Sequence, residues 1–299
     1  MEERIDIGII IPFYNGIKYF DKLFESINEA KNQLDTKYKL SIILVDNSKS
    51  NNLQFFKTYM ENIIYLREAE NLGYGKACNV GYRYCKNNNF KLILITNQDG
   101  YLDKYCLLHL INVMNSDKQV AITSSLPLTY DSKQIEPFFI KYYLQFVPDL
   151  VTDRVINKIY KSKGYEITKI PGVCFLFRLD GVFQELNLFD EKFYMYFEDE
   201  DLCKRVLDLN QKILLMPDAI FYHQHTHTTD KNNAKDIQFQ NEISGQLYRI
   251  KHSENKYKAI YGLVIDNIFD GCKRLFRGDF RNSLKSFKIL GKVLKIYFK

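Results

Sequence analysis

The sequence predicts an α/β fold, a mixed, mostly parallel sheet with helices on both faces. Over the first hundred residues, short apolar runs of strand character alternate with amphipathic stretches, the pattern of β-α-β units. Three of those runs end in polar clusters, at 12–16, 46–50 and 97–100. Right-handed crossovers bring the carboxyl ends of parallel strands to one edge, so the three clusters are expected to converge there, where open α/β sheets bind ligands.

In chain order, 7–11 (IGIII) reads as a strand and 19–34 as an amphipathic helix. A strand follows at 40–45, a helix at 53–61, a short strand at 63–66, a helix at 76–87 and a strand at 92–95. The segment 105–170 is less regular and rich in aromatics, as in FFIKYYLQF (138–146). Those aromatics read either as a helix packed on the sheet or as an acceptor or oligomer surface. Beyond Pro171, 173–178 reads as a strand, 182–186 as a helical turn and 199–209 as a helix, with strands at 213–216 and 219–223.

At 299 residues the chain has material for one large domain or two small ones. No run approaches the roughly 18–20 uncharged apolar residues of a membrane-spanning helix. The acidic start MEERID does not resemble a secretory signal, so a cytoplasmic location is expected. The six cysteines are scattered without a CxxC pair and read as reduced small hydrophobes. The net charge of +6 is unevenly spread. Residues 256–299 hold eleven Lys/Arg against three Asp, about +8, and 1–255 hold 31 Lys/Arg against 33 Asp/Glu, about −2. Basicity confined to a tail, with no recognition motif, argues against nucleic-acid binding.

TNQDG (96–100) follows the apolar run 92–95, which puts Asp99 at the sheet edge as a candidate to hold a metal ion or a polar substrate. Asp46 in VDNSKS has two readings: a carboxylate that accepts a hydrogen bond from the imide N–H of a uracil or thymine ring, or an Asx-turn residue. NLGYGKACNVG (71–81) joins a glycine-rich turn to a helix start, where a backbone can approach an anionic ligand. It is neither a P-loop nor a dinucleotide fingerprint. Four acids, Glu198 to Asp201, open an amphipathic helix. They read either as complements of the helix dipole or as the source of a general base. In FYHQHTHT a continuing strand would place His223, His225 and His227 on one face, with His223 the buried candidate ligand; His225 and His227 read equally as a solvated loop.

Taken together, these segments resemble the family 2 glycosyltransferases of GT-A fold, a Rossmann-like nucleotide-diphospho-sugar transferase fold, and in particular the rhamnosyl- and galactofuranosyltransferase-like branch. The resemblance spans about residues 5–230 and lies in the order and spacing of IIIPFYN, VDNSKS, NLGYGKACNVG, the D-x-D-like NQD, PGVCFLFR, the E-D helix start and the later histidine. It implies that Pro12, Tyr14 and Asp46 line the base and ribose, and that Asn71, Gly73, Asn79 and Asn97 lie beside the donor. Asp99 would hold a divalent metal, Mn²⁺ or Mg²⁺, on the diphosphate, with His223 as a second ligand. Asp199 would be the catalytic base of an inverting displacement, with Glu198 near the acceptor hydroxyls. One departure stands out: the first carboxylate of D-x-D is here Asn97, which keeps an oxygen but loses a charge.

The implied reaction moves a sugar from a UDP- or dTDP-sugar to a saccharide acceptor, lipid-linked, in bacterial surface-polysaccharide synthesis. The alternatives are a sugar-nucleotide nucleotidyltransferase, whose N-terminal GxGxR-type loop residues 9–16 lack, and a non-catalytic glycan-binding member of the same fold. Residues 1–255 are expected to form the GT-A domain, with a donor half (1–104) and an acceptor and catalytic half (105–255). Residues 256–299 form a basic amphipathic helical tail, in which apolar residues recur at helical spacing over 273–299. Such a tail suits an anionic membrane surface on the inner face of the cytoplasmic membrane, or docking on the domain or on a second subunit as a homodimer.

Overall fold

The computed structural model describes residues 4–158, 164–181, 183, 186–224 and 231–298. They divide into two units, Met1–Phe189 with Leu202–Thr226, and Asp190–Asp201 with His227–Lys299. The first unit opens with β1 (Ile5–Phe13), α1 (Ile17–Lys31), β2 (Tyr38–Asp46), α2 (Leu53–Phe56), β3 (Ile63–Arg67), α3 (Tyr74–Asn87) and β4 (Leu92–Thr96). It continues through β5 (Gly100–Leu102), α4 (Cys106–Ser116), β6 (Val120–Thr129), α5 (Pro137–Tyr142), α6 (Pro148–Val151), β7 (Tyr165–Glu166) and β8 (Cys174–Arg178). It closes with α7 (Glu198–Asp208), from Leu202 onward, and β9 (Lys212–His223).

The strands form one mixed sheet in the order β3-β2-β1-β4-β8-β6-β9-β5, with β7 pairing β9. β3, β2, β1 and β4 run parallel. β8 is antiparallel to both β4 and β6, and β6 is parallel to β9. Two reversals cancel, so β6 and β9 end at the same edge as β1, β2 and β4. That is the whole topological reason why His223, at the end of β9, can meet a loop that follows β4.

Alternation along β1 fills two cores. Ile10 packs with Ala77, Cys78 and Tyr82 of α3. Ile9, Ile11 and Phe13 pack with Phe20 and Leu23 of α1 and Leu110 of α4. Helix α3 sits close to β1 because glycines face the contact. A Cβ on Gly8 would meet Cys85 Sγ at 2.5 Å, and one on Gly81 would meet Ile10 Cγ2 at 2.7 Å.

Where the structure differs from the sequence reading, the reasons are local. β6 lies inside the sheet although its sequence, VAITSSLPLT, is broken by Thr-Ser-Ser and by Pro127. The two strands expected at 213–216 and 219–223 are one strand, β9. Its register against β6 jumps from Met216 to Ile220, so Pro217, Asp218 and Ala219 bulge out at the point where a proline cannot donate. The helix expected over 53–61 shortens to α2 and a 3-10 turn, Lys57–Tyr59. Of the turn expected at 182–186, residues 182, 184 and 185 lie outside the described residues, as do His225 and His227.

The second unit holds the segment Asp190–Asp201 and three helices, α8 (Lys231–Lys251), α9 (Lys256–Phe276) and α10 (Phe280–Tyr297). Phe193, Ile243, Leu247, Leu263, Ile289 and Val293 form its core. The apolar series over 273–299 is two helices rather than one, because Gly278 turns into the left-handed region (φ 76°) and Asp279 caps α10 through the N–H of Asn282. Close packing of α9 on α10 requires Gly271, whose added Cβ would meet Phe287 at 2.7 Å.

Candidate active site

The site is built from loops that leave the carboxyl edge of the sheet. After β1, Tyr14 is exposed, Pro12 is half-buried and Asn15 adopts φ 53°. Gln98 holds this turn: its Oε1 accepts from Tyr14 N–H and its Nε2 donates to Tyr14 C=O, each at 2.8 Å. A Cβ on Gly16 would come within 2.4 Å of the Gln98 amide, so the glycine makes room for that clamp. Sequence reasoning passed over Gln98, because a glutamine between two motif positions carries no pattern of its own.

Asp46 is fully buried, and its carboxylate is occupied from within the protein. Oδ1 accepts from Ser48 N–H at 3.0 Å, closing an Asx turn, and Oδ2 accepts from Tyr65 OH at 2.6 Å. Asn52 Nδ2 lies 3.3 Å from both oxygens, and Arg67 Nη1 lies 3.8 Å from Oδ1. Burial, reinforced by the hydrogen bond to Asp46, raises the Tyr65 pKa far above its usual range. Asp46 thus organises the loop after β2 and closes an Asx turn there.

The glycine turn is fixed by two asparagines. Asn47 Nδ2 donates to Asn71 Oδ1 at 2.8 Å, while Asn47 Oδ1 accepts from Leu72 N–H and Asn71 Oδ1 from Gly73 N–H. Gly73, at φ 84°, then opens α3. Asn79 is spent differently: its side chain donates to Phe189 C=O and accepts from Phe189 N–H, at 2.9 and 3.0 Å. It straps the segment that follows β8 onto α3.

Asp99 and His223 meet as the topology allows. Gly100 pairs with His223 across β5 and β9, and His223 Nε2 lies 3.3 Å from Asp99 Oδ1. The other ring nitrogen, Nδ1, is 2.9 Å from Oε1 of Glu136, a buried carboxylate at the start of α5. Burial works against a charged ring, but the hydrogen bonds and charges of Asp99 and Glu136 outweigh it and raise the His223 pKa to about 9. Two positions before Asp99, Asn97 Oδ1 is buried with no hydrogen-bond partner, an acceptor left open. Among the described residues no group of three or more His, Cys, Asp or Glu is arranged to hold a metal. Asp99 and His223 are nevertheless a hard oxygen and an imidazole nitrogen side by side, and metal-bound histidines commonly have their second nitrogen held by a carboxylate, as Glu136 holds this one. The donor set fits a divalent cation that takes its remaining ligands from elsewhere.

The acids that open α7 belong to the second unit. Tyr196 and Phe197, just before them, both take left-handed φ values, 66° and 67°, which bulky side chains avoid. Glu198 is buried, and its Oε2 has no hydrogen-bond partner. Burial, then the neighbouring Asp199, raises its pKa to about 8, so Glu198 keeps its proton at neutral pH. Asp199 Oδ1 accepts from Glu200 N–H at 2.9 Å. Asp201, fully buried, is held by Lys251 Nζ at 2.7 Å and His252 Nε2 at 2.8 Å. The acids therefore differ in surroundings: Asp201 is tied to Lys251 and His252, whereas Glu198 is buried with an open carboxyl oxygen.

The sheet order, the switch between β1 and β4 and the loops gathered at their carboxyl ends define the GT-A fold. Solved structures share it. The mannosyltransferase PcManGT from Pyrobaculum calidifontis, in complex with GDP-Man and Mn²⁺, matches 99% of this chain and 74% of its own length with a TM-score of 0.60, at 12% identity. The profile of Glycosyl transferase family 2 matches residues 8–181, and the chain belongs to that family. Rhamnosyltransferase WbbL of Escherichia coli K12 is 26% identical over 231 residues, 73% of this chain and 84% of WbbL. The low-salt glycan biosynthesis hexosyltransferase Agl10 of Haloferax volcanii is 23% identical over 206 residues, 67% of this chain and 61% of its own. The chain spans about three fifths of the length of several curated relatives.

Proposed function

We propose that the chain is an inverting glycosyltransferase that moves a sugar from a UDP- or dTDP-sugar to a saccharide acceptor. The acceptor is lipid-linked, and the enzyme works peripherally on the inner face of the cytoplasmic membrane in surface-polysaccharide synthesis. The observation that carries the reading is the pairing of Asp99 with His223 at the sheet edge of a family 2 chain, in the loop that also holds the open acceptor oxygen of Asn97. These residues would hold Mn²⁺ or Mg²⁺, and a bound cation supplies charge compensation for a departing diphosphate. The loops of Tyr14, Asn71 and Gly73 receive the nucleotide, with Gln98 and Asp46 holding them in shape.

In the transfer, the acceptor oxygen forms a bond to the anomeric carbon as the bond from that carbon to the diphosphate breaks. Asp199 takes the acceptor proton, and the nucleoside diphosphate leaves with the bonding electrons. Glu198, kept neutral by burial, donates a hydrogen bond that orients acceptor hydroxyls. A panel of UDP- and dTDP-sugars with Mn²⁺ or Mg²⁺, read by thermal stabilisation and by metal-dependent donor hydrolysis, tests the reading. A flat response to every donor sinks it. Asp199→Asn should abolish turnover with the melting temperature unchanged; retained turnover removes Asp199 from the mechanism.

A further inference from the structure

The helical unit carries an apolar face that covers no part of its own core. On α9, Tyr257, Tyr261, Phe269 and Phe276 are 88, 70, 68 and 91% exposed. At 100° per residue they fall within an arc of about 120°. The buried positions of the same helix, Leu263 and Gly271, fall outside that arc, and Asp266 and Asp270 lie on the far side. On α10 the pattern repeats, with Phe280 and Leu284 exposed while Ile289 and Val293 point into the core. The α9 stripe ends at Phe276 and the α10 stripe begins at Phe280, so both meet the turn 277–279 that carries Arg277.

Charge decides what this face meets. On α10, the exposed Lys288 and Lys295 lie on the face that carries Phe280 and Leu284, about one and three turns beyond Leu284, and over residues 256–299 eleven Lys/Arg stand against three Asp. A second copy of the chain brought face to face would set these cations against each other. An anionic surface with an apolar interior complements both features, since aromatic side chains insert at the acyl boundary while lysines meet the headgroups. None of the described helices is long and apolar enough to cross a membrane, so contact of this face would be interfacial.

We propose that this face, centred on Tyr257, Phe269, Phe276 and Phe280, docks the protein on an anionic lipid bilayer. The inference rests on the membrane-peripheral part of the proposed function and assigns it to named residues. The test is co-sedimentation with phosphatidylcholine vesicles, with and without phosphatidylglycerol. The wild-type chain should bind vesicles containing phosphatidylglycerol at least about 10-fold more tightly than the neutral ones, with the preference falling as salt rises. The triple variant Tyr257→Ser, Phe269→Ser, Phe276→Ser, which changes only exposed positions, should lose at least about 10-fold in binding to both vesicle types. Lys288→Glu with Lys295→Glu should erase the phosphatidylglycerol preference. The chain has no tryptophan, so Phe269→Trp supplies a single reporter, whose emission should shift to the blue on anionic vesicles.

Absence of wild-type binding, or a triple variant that binds like wild type, overturns the proposal. So does a wild-type dimer that the triple variant turns into monomers without vesicle binding, since the face then belongs to a second copy. Donor hydrolysis measured on the same samples reads the transferase assignment separately: hydrolysis without vesicle binding removes only the docking face, and binding without hydrolysis removes only the transferase.

Discussion

Both amide atoms of the Gln98 side chain are paired with the backbone of Tyr14, as a strand neighbour would be. The clamp joins the loop after β1 to the loop after β4 across the topological switch point, and under the proposed function it sets the width of the donor cleft. Gln98→Ala removes two hydrogen bonds worth about 1 kcal/mol each and should raise the donor KM about 10-fold, with a smaller effect on kcat. Gly16→Ala should do the same by pushing the amide away, because its Cβ would sit 2.4 Å from Gln98. In the double variant the obstruction has no target, so the two effects should fall well short of adding. Additive losses in KM would show that the contact does not shape the cleft.

Asn97 sets up a second test. Its Oδ1 is buried and without a hydrogen-bond partner, two positions before Asp99. Asn97→Asp restores a second carboxylate and should tighten Mn²⁺ binding, measured by calorimetry in the presence of UDP, about 10-fold. Without metal the same variant should melt lower than wild type, because two carboxylates then share a partly buried edge. Asp99→Ala should lose Mn²⁺ binding altogether. Unchanged affinity in both variants would move the cation away from this edge.

The parallel half of the sheet was legible because β1, β2 and β4 are continuous apolar runs punctuated by polar turns, which is what strands buried on both faces look like. β6 was not, since a central strand with two serines and a proline draws its stability from neighbours that sequence cannot display. The same distinction separates the site residues. Asp99 and His223 stand at strand ends and could be read singly, but Glu136 meets His223 across 87 residues through the topology of β6 and β9. Asn79, expected beside the donor, also holds both backbone groups of Phe189, a link across 110 residues that its motif does not display. At 277–279, periodicity alone carried the helix through, and the backbone freedom of one glycine stopped it.

Glu198 predicts a pH dependence of stability. Its folded-state pKa, about 8, lies above the roughly 4.3 of an unfolded glutamate, so between these values the folded chain holds a proton that the unfolded chain has lost. Stability therefore falls as pH rises through that window and levels off above about pH 8. Glu198→Gln removes the titrating group. Its melting temperature should match wild type near pH 5 and exceed it increasingly toward pH 8, by an amount on the order of a few kcal/mol in stability. A difference between the two proteins that stays constant from pH 5 to 9 would mean that Glu198 is ionised in the fold.

Asp201 and Lys251 test how the start of α7 is held. Asp201 is fully buried, whereas Lys251 is partly exposed and also reaches Asp190 Oδ2 at 2.6 Å. Breaking a buried pair costs most when the group left behind has neither water nor another partner. Asp201→Asn leaves Lys251 with Asp190 and some solvent, so it should cost about 2 kcal/mol in urea unfolding. Lys251→Met takes a cation away from a fully buried carboxylate that His252 still contacts at 2.8 Å, and should cost more, about 3–4 kcal/mol. The reverse ranking, with Asp201→Asn the more damaging at every pH, would mean that Asp201 serves the fold through its hydrogen bonds rather than as the anion of an ion cluster.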